Sequence, residues 1–412
     1  MSTHRRLGLL AALFLCLRAL AQEAETGFTL PLTLTGEGLY THRLESEDPH
    51  ASPAAEAFHA ALYPGFKLGS HWFIYSAIYL SSTPFYYNDA YSPDRQLETQ
   101  VVQAFLGYTR TYGNTAVMFK AGQLTSAFGS FPVHYDDADN PLLDQPLPYS
   151  TYLSLHANQL PCGAKDLAGQ EYWGSTGYHC GGSSAPDEGL TPATLYGLPG
   201  IEADVSRRKI DARLQLTNSS PANPQTLWSH SQRPQWTAGA GYSLVQGFRV
   251  GFSAFRGPFL DRSVVTFLPA GHTVGDFPAT GAGLDAQWAR GRWSTSGEWQ
   301  WFRFDYPNLT HSPTTSFAYG EVKAVLNART YLAARAGYQR NSRVADSWGQ
   351  SDESFAPNVQ SYEFAIGVRP NRWQLLKIGY EWLRGEDIWG TRDNVFGIQL
   401  VTSIHALSKA LH

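Results

Sequence analysis

Lys209-Ile210-Asp211-Ala212-Arg213-Leu214-Gln215-Leu216 sets a charged or amide side chain at every odd position and an apolar one at every even position. Successive side chains of a β-strand point to opposite faces, so a strand over this stretch has one wet face and one apolar face. The split recurs downstream. Tyr362, Phe364, Ile366 and Val368 oppose Ser361, Glu363, Ala365 and Arg369; Leu376, Ile378, Tyr380 and Trp382 oppose Lys377 and Glu381; Phe396, Ile398, Leu400 and Ile404 oppose Gln399, Ser403 and His405. A water-soluble β-protein with an apolar core satisfies this pattern, and so does a membrane barrel with an apolar exterior. Aromatic placement separates the two. Trp72, Tyr108, Trp236, Tyr242, Trp288, Trp293, Tyr338, Tyr380 and Trp382 fall near strand ends on the apolar face, where the interfacial girdles of a barrel lie.

Outward from this stretch, the chain repeats one unit: an alternating stretch, a short turn, another alternating stretch, then a longer polar segment. Strands are expected over 29–40, 58–68, 72–81, 99–109, 115–123, 195–206, 209–217, 235–245, 248–257, 280–289, 293–306, 315–326, 330–340, 359–368, 374–384 and 394–406. These make about sixteen strands, an even number as bacterial barrels require. The turns at 69–71, 111–114, 207–208, 246–247, 290–292, 327–329 and 370–373 are tight, whereas the alternate connections are long and rich in Pro, Ser and Asp. Short turns face the periplasm and long loops the outside in such barrels. A soluble sandwich has no reason to alternate its loop lengths, so the expected fold is all-β: a closed antiparallel transmembrane β-barrel.

Composition agrees. No long stretch places apolar residues at i, i+3, i+4 and i+7, the helical signature. With 14% aromatic and 16% charged residues and 38 glycines, a mean hydropathy of −0.29 excludes a bundle of membrane helices while fitting strands that are apolar on one side only.

The start of the chain reads as a secretory signal. Arg5 and Arg6 precede an apolar run from Leu7 to Leu17, and Ala19-Leu20-Ala21 precedes Gln22. That run is too short to span a membrane and Arg18 interrupts its end. The expected organisation is residues 1–21 as signal peptide and 22–412 as the barrel, exported to the cell outer membrane. The formal net charge of −4 becomes more negative once the leader arginines are removed, which excludes nucleic acid as a partner. Of three cysteines, Cys16 leaves with the signal, and Cys162 and Cys180 remain as a pair that an oxidising periplasm joins. No second close Cys or His pair gives a metal-ligand spacing around them, His156 and His179 included.

If sixteen strands close, the lumen is wide enough for an aqueous channel, and function lies in whatever narrows it. The third long connection, 124–194, far exceeds the others, and unstructured loops of such length are uncommon unless functional. Lys120-Ala121-Gly122-Gln123-Leu124-Thr125-Ser126-Ala127-Phe128-Gly129-Ser130-Phe131, followed by Asn140-Pro141-Leu142-Leu143, resembles the stretch between the fifth strand and the constriction loop of bacterial outer-membrane porins, the phosphate-selective ones among them. The resemblance implies that the third loop folds inward over Phe128 to Cys180 and sets the eyelet. Two departures qualify it. Phosphate-selective porins use a run of inward Arg and Lys, whereas here Glu37, Glu202, Asp204, Asp211, Asp285, Glu298, Glu321, Glu363 and Glu381 face Lys67, Lys120, Lys209, Arg213, Arg249, Lys323, Arg335, Arg369 and Lys377, so strong anion selectivity is not expected. The chain also lacks a terminal aromatic and runs on to Leu407-Ser408-Lys409-Ala410-Leu411-His412.

Asp136, Asp137, Asp139 and Asp144 are the sharpest cluster in this loop. They are the candidate constriction carboxylates, opposed by Lys67, Lys120, Arg213, Arg335 and Lys377, because arcs of charge select ions at a pore. A solvated loop surface is the plainer reading, and the spacing lacks the regular calcium loop. His134, Asp136, Ser154 and His156 lie close in sequence, yet no Gly-x-Ser-x-Gly elbow or His-Glu-x-x-His run accompanies them, so no enzyme and no cofactor are expected. A plugged receptor would need a globular plug before the first strand. The function expected is passive diffusion of small polar solutes or ions, with outer-membrane lipid as partner and a homotrimer as the candidate assembly. A channel for apolar or aromatic ligands is the alternative, kept open by Phe73, Tyr75 and Tyr79.

Overall fold

The computed structural model describes residues 26–41, 54–82, 97–133, 135–167, 178, 180–184, 189–193, 197–218, 220, 222, 234–345, 352–356, 358–385, 392–404 and 409–411. The signal segment 1–21, Gln22, His134, His179 and Thr194 lie outside the described residues.

Sixteen antiparallel strands form the wall. They are β1 (Thr26–Thr29, continuing as Leu32–Thr41), β2 (Ala54–Leu62, continuing as Gly65–Leu68), β3 (Trp72–Ser82), β4 (Leu97–Tyr112), β5 (Thr115–Leu124), β6 (Leu198–Arg207), β7 (Ile210–Thr217) and β8 (Gln235–Val245). They continue with β9 (Phe248–Pro258), β10 (Pro278–Arg290), β11 (Trp293–Phe304), β12 (Thr314–Asn327), β13 (Thr330–Asn341), β14 (Val359–Val368), β15 (Gln374–Gly385) and β16 (Arg392–Ile404). Each pairs with its neighbour, and β1 pairs with β16 from Leu32↔Ile404 to Thr41↔Val395, which closes the barrel.

Prolines explain where two of the strands are interrupted. Pro31 and Pro64 carry no amide hydrogen for the ladder, so β1 and β2 are each interrupted there. The interruptions sit side by side, Tyr63 N–H donating to the Pro31 carbonyl and Ser76 N–H to that of Pro64, both at 3.0 Å. Beyond them Thr26–Thr29 pairs with Gly65–Leu68 on one side and with Lys409–Leu411 on the other. Lys409–Leu411, beyond the last long strand, therefore belong to the sheet. In β4, Ala77↔Gln103 is followed by Ile78↔Val101, leaving Val102 as a bulge that buries its side chain.

Burial follows the alternation, turned inside out relative to a soluble protein. Ile210, Leu214, Phe364, Phe396 and Ile398 are exposed on the outer face, while Gln215, Lys377 and Gln399 are 0% exposed inside. An exterior of this kind matches hydrocarbon, with every backbone ladder satisfied by closure. The girdle aromatics Trp72, Trp236, Tyr242, Trp288, Trp293, Tyr338, Tyr380 and Trp382 all remain exposed.

The interior is not uniformly polar. Toward the long loops, Phe255, Phe302, Phe304 and Phe317 point inward and pack with Phe128, Phe131, Leu153, Leu155 and Leu160 of the third loop and with Phe259 and Val264 of the loop after β9. This apolar core fixes the loop against one side of the lumen.

Candidate functional site in the lumen

The third long loop leaves β5 at Leu124 and is tied to the wall almost residue by residue. Gln215 Nε2 donates to the Thr125 carbonyl at 2.8 Å, Gly129 N–H donates to Ser253 Oγ at 3.0 Å, and Arg213 donates to the Gly129 carbonyl at 2.9 Å. Gly129 has φ +77°, and a β-carbon there would meet Tyr149 Oη at 2.0 Å and Glu298 Oε2 at 2.7 Å. No other residue fits that turn without moving the wall.

Glu298 of β11 is the hub on this side. Its Oε1 accepts from Ser130 Oγ at 3.0 Å, Phe131 N–H at 2.8 Å and Tyr319 Oη at 2.7 Å, and its Oε2 from Tyr149 Oη at 2.8 Å and Gln300 Nε2 at 2.7 Å. A buried carboxylate with five donors is satisfied, and it pins two separate stretches of the loop.

The loop then reaches the wall built by β1 to β4. Tyr135 lies against Tyr79 and receives a hydrogen bond from Gln103 Nε2 at 3.1 Å. Asp136 accepts from the Tyr63 hydroxyl and from Ala138 N–H at 2.8 Å. Asp137 Oδ2 accepts from Thr35 Oγ1 at 2.7 Å and sits 2.9 Å from His59 Nδ1. Burial pushes the Asp136 carboxyl up. It pushes on Asp137 too, but there the facing His59, with Lys377 and the Thr35 hydroxyl, outweighs it and holds the carboxyl below its ordinary range.

From Asn140 to Asp144 the chain docks on β12 to β15. Tyr331 Oη donates to the Pro141 carbonyl at 3.0 Å, Lys377 Nζ to that of Leu142 at 2.9 Å, and Arg335 to that of Asp144 at 2.8 Å. Glu363 accepts from Leu143 N–H at 2.7 Å and Asp144 N–H at 3.2 Å. Arg335 also pairs with Glu321 at 2.7 Å and Glu363 at 3.1 Å.

The expected constriction residues thus fall into distinct settings. Asp136, Asp137 and Asp144 are held in the docking network, whereas Asp139 is exposed. Lys120 bridges Glu202 and Asp204, the latter at 2.8 Å. Arg213, Arg335 and Lys377 hold loop carbonyls, and Lys67 stands exposed on the short second piece of β2. Cys162 and Cys180 are joined, their Cα atoms 4.9 Å apart. Beside them, Cys180 N–H donates to the Leu160 carbonyl and Leu160 N–H to that of Gly181, making a small clasp within the loop.

Sequence reading did not single out His59, Asn140, Tyr149 or the Arg249 cluster as site residues. Arg249 bridges Asp211 at 2.7 Å and Asp285 at 2.6 Å. The signal for Arg249, Glu298 and Lys323 was their inward register; their partners lie on other strands and carry no linear spacing. Among the described residues no group of three or more His, Cys, Asp or Glu side chains is arranged to hold a metal ion.

Between the loop edge and the wall of β8 to β12 remains a cavity of about 460 Å³. Ser130, Phe131, Asp139, Asn140 and Pro141 roof it, and Ser243, Arg249, Gln287, Ser294, Ser296, Tyr319, Glu321 and Lys323 line it, with Gly247 and Ala289 of the short-turn rim at its foot.

No protein-family model matches the sequence, and no curated protein matches it. Solved structures do share the fold. An anion-selective porin from Comamonas acidovorans matches with a TM-score of 0.54 at 9% identity over 92% of this chain and 100% of that one. The outer membrane channel DcaP of Acinetobacter baumannii matches with 0.54 at 10% identity over 92% and 98%. OmpT, an outer membrane protein of Vibrio cholerae, matches with 0.54 at 10% identity over 93% and 99%, and its trimer form is also similar. The chain has the sixteen-stranded barrel fold of outer-membrane porins.

Proposed function

We propose that this chain is an outer-membrane channel for passive diffusion of small polar solutes or ions, with the loop from Phe128 to Cys180 as its constriction. One observation carries the reading: a loop crosses a lumen lined by ionic side chains and is held on both walls, by Glu298 on one and by the Thr35–Asp137–His59 contact on the other. Rigid docking fixes an opening by geometry, which is what passive size selection requires. Export through a cleaved signal at residues 1–21 and placement in the outer membrane follow from the same proposal. A homotrimer is the assembly we favour, since a similar structure is described in a trimer form.

A second reading has its own support. Phe73 and Tyr75 lie 5.9 Å and 5.7 Å from the Phe105 ring on the inner wall, a strip suited to solutes with a flat apolar face.

Planar-bilayer recording of the purified protein tests the proposal. Stepwise conductance in KCl, with a reversal potential under a salt gradient, is expected; folded protein that inserts without conducting would overturn it.

A further inference from the structure

The cavity under the loop edge contains charges of two kinds. Some are spent: Glu321 pairs with Arg335, and Arg249 is clamped between Asp211 and Asp285. Two are open. Lys323 lies over the Tyr331 ring at 4.4 Å and makes no ion pair among the described residues. Asp139 projects from the roof with no hydrogen-bond partner for its side chain among the described residues, and it is one of the charged neighbours of Lys323, with Glu321 and Arg369. The hydroxyls of Ser243, Ser294 and Ser296 and the amide of Gln287 complete the lining.

We infer that this cleft recognises small zwitterionic solutes, the ammonium directed to Asp139 on the roof and the carboxylate to Lys323 on the wall. A solute of one sign engages one of these charges and forgoes the other, whereas a zwitterion pairs with both. The volume suits a molecule of amino-acid size together with water, and the hydroxyl lining supplies neutral hydrogen bonds to either end. Foothold residues Gly247 and Ala289 place the cleft beside the short turns, so a bound solute sits just beneath the loop. The inference rests on the channel reading and names the class of solute it favours.

The test is the KCl conductance of single channels titrated with L-alanine and, separately, with lactamide, its uncharged analogue of equal mass. L-alanine is expected to lower conductance saturably and lactamide only in proportion to viscosity. In Asp139→Asn and in Lys323→Gln the half-effect concentration should rise about tenfold, the loss of one charge-assisted bond. Exchanging the two charges, Asp139→Lys with Lys323→Asp, should restore it. Equal effects of alanine and lactamide on a conducting wild-type channel would overturn the inference and leave the channel reading standing, as would equal saturation by sodium lactate, which marks a simple anion site. Absence of any KCl conductance would instead defeat the channel reading. Heat-modifiable migration in gels confirms that each variant is an assembled barrel.

Discussion

The hydroxyl of Tyr149 and the carboxylate of Glu298 lie 2.8 Å apart, and the same carboxylate holds Ser130 and Phe131, so one wall residue joins two loop stretches nearly twenty residues apart in sequence. Removing it as Glu298→Ala leaves four buried donors from the loop and Tyr319 without an acceptor, at about 1–3 kcal/mol each. The barrel should persist while the loop loosens. Bilayer recordings should show larger, noisier openings, and an unchanged open level would contradict the docking role.

Gly129→Ala should act through the same corner by a different cause. At φ +77° a β-carbon is strained, and here it also collides with Tyr149 Oη. The penalty should be about 1–3 kcal/mol, seen as faster protease cleavage of the loop in intact barrels. Cleavage at the wild-type rate would show that the corner can relax freely.

Lys377 is 0% exposed, with Glu37, Asp137 and Glu363 as its charged neighbours. Lys377→Met keeps the bulk but strips the counter-charge, and breaking such a buried arrangement costs about 3–5 kcal/mol. The urea midpoint for release of the loop should fall clearly below that of the wild type. Adding Glu37→Gln should recover part of the loss, because Glu37, whose Oε2 is buried without a hydrogen-bond partner among the described residues, is then no longer an uncompensated carboxylate.

Opening the Cys162–Cys180 link by replacing both residues with serine should leave strand content untouched by circular dichroism. The closed segment spans a sequence separation of 18, for which a cross-link stabilises by about 3 kcal/mol. Tryptic cleavage at Lys165 should therefore accelerate in the double variant, and equal rates would mean that the apolar packing alone holds the segment.

Acidification should act on Asp137. Its carboxyl is held low in the folded protein, so its contribution to docking is fully present above the ordinary carboxylate value and is lost as pH falls through its lowered one. The Asp137 contribution should thus be steady down to about pH 4 and weaken below it. Asp136, pushed up by burial, has the opposite sense and opposes docking as pH rises through its range. Channel noise against pH in Asp136→Asn isolates the Asp137 limb; noise rising with pH in that variant would contradict the assignment.

The strand pattern was legible because lipid demands it: positions such as Leu214 and Phe364 are apolar for a reason local to their own strand, and both are exposed on the outer face. The splits at Pro31 and Pro64 were visible as residues but not as interruptions, since either proline alone is compatible with a strand end. Inward phenylalanines were harder. Phe302 and Phe317 break the rule that apolar side chains face out, and only the loop that covers them makes sense of it. Charge was legible as inward register but not as partnership: Lys120 and Arg335, expected to oppose the loop aspartates, are each clasped by two wall carboxylates.

The aromatic packing of Phe255, Phe302, Phe304 and Phe317 against Phe128 and Leu155 has a mechanical consequence. A hollow tube under lateral pressure buckles toward an oval, and its bore changes as it does. Close-packed side chains resist compression, so this filling acts as a bulkhead across one sector near the long loops. Squeezing of the bilayer is then taken up in the unfilled sectors, and the bore beneath the loop keeps its calibre on the braced side.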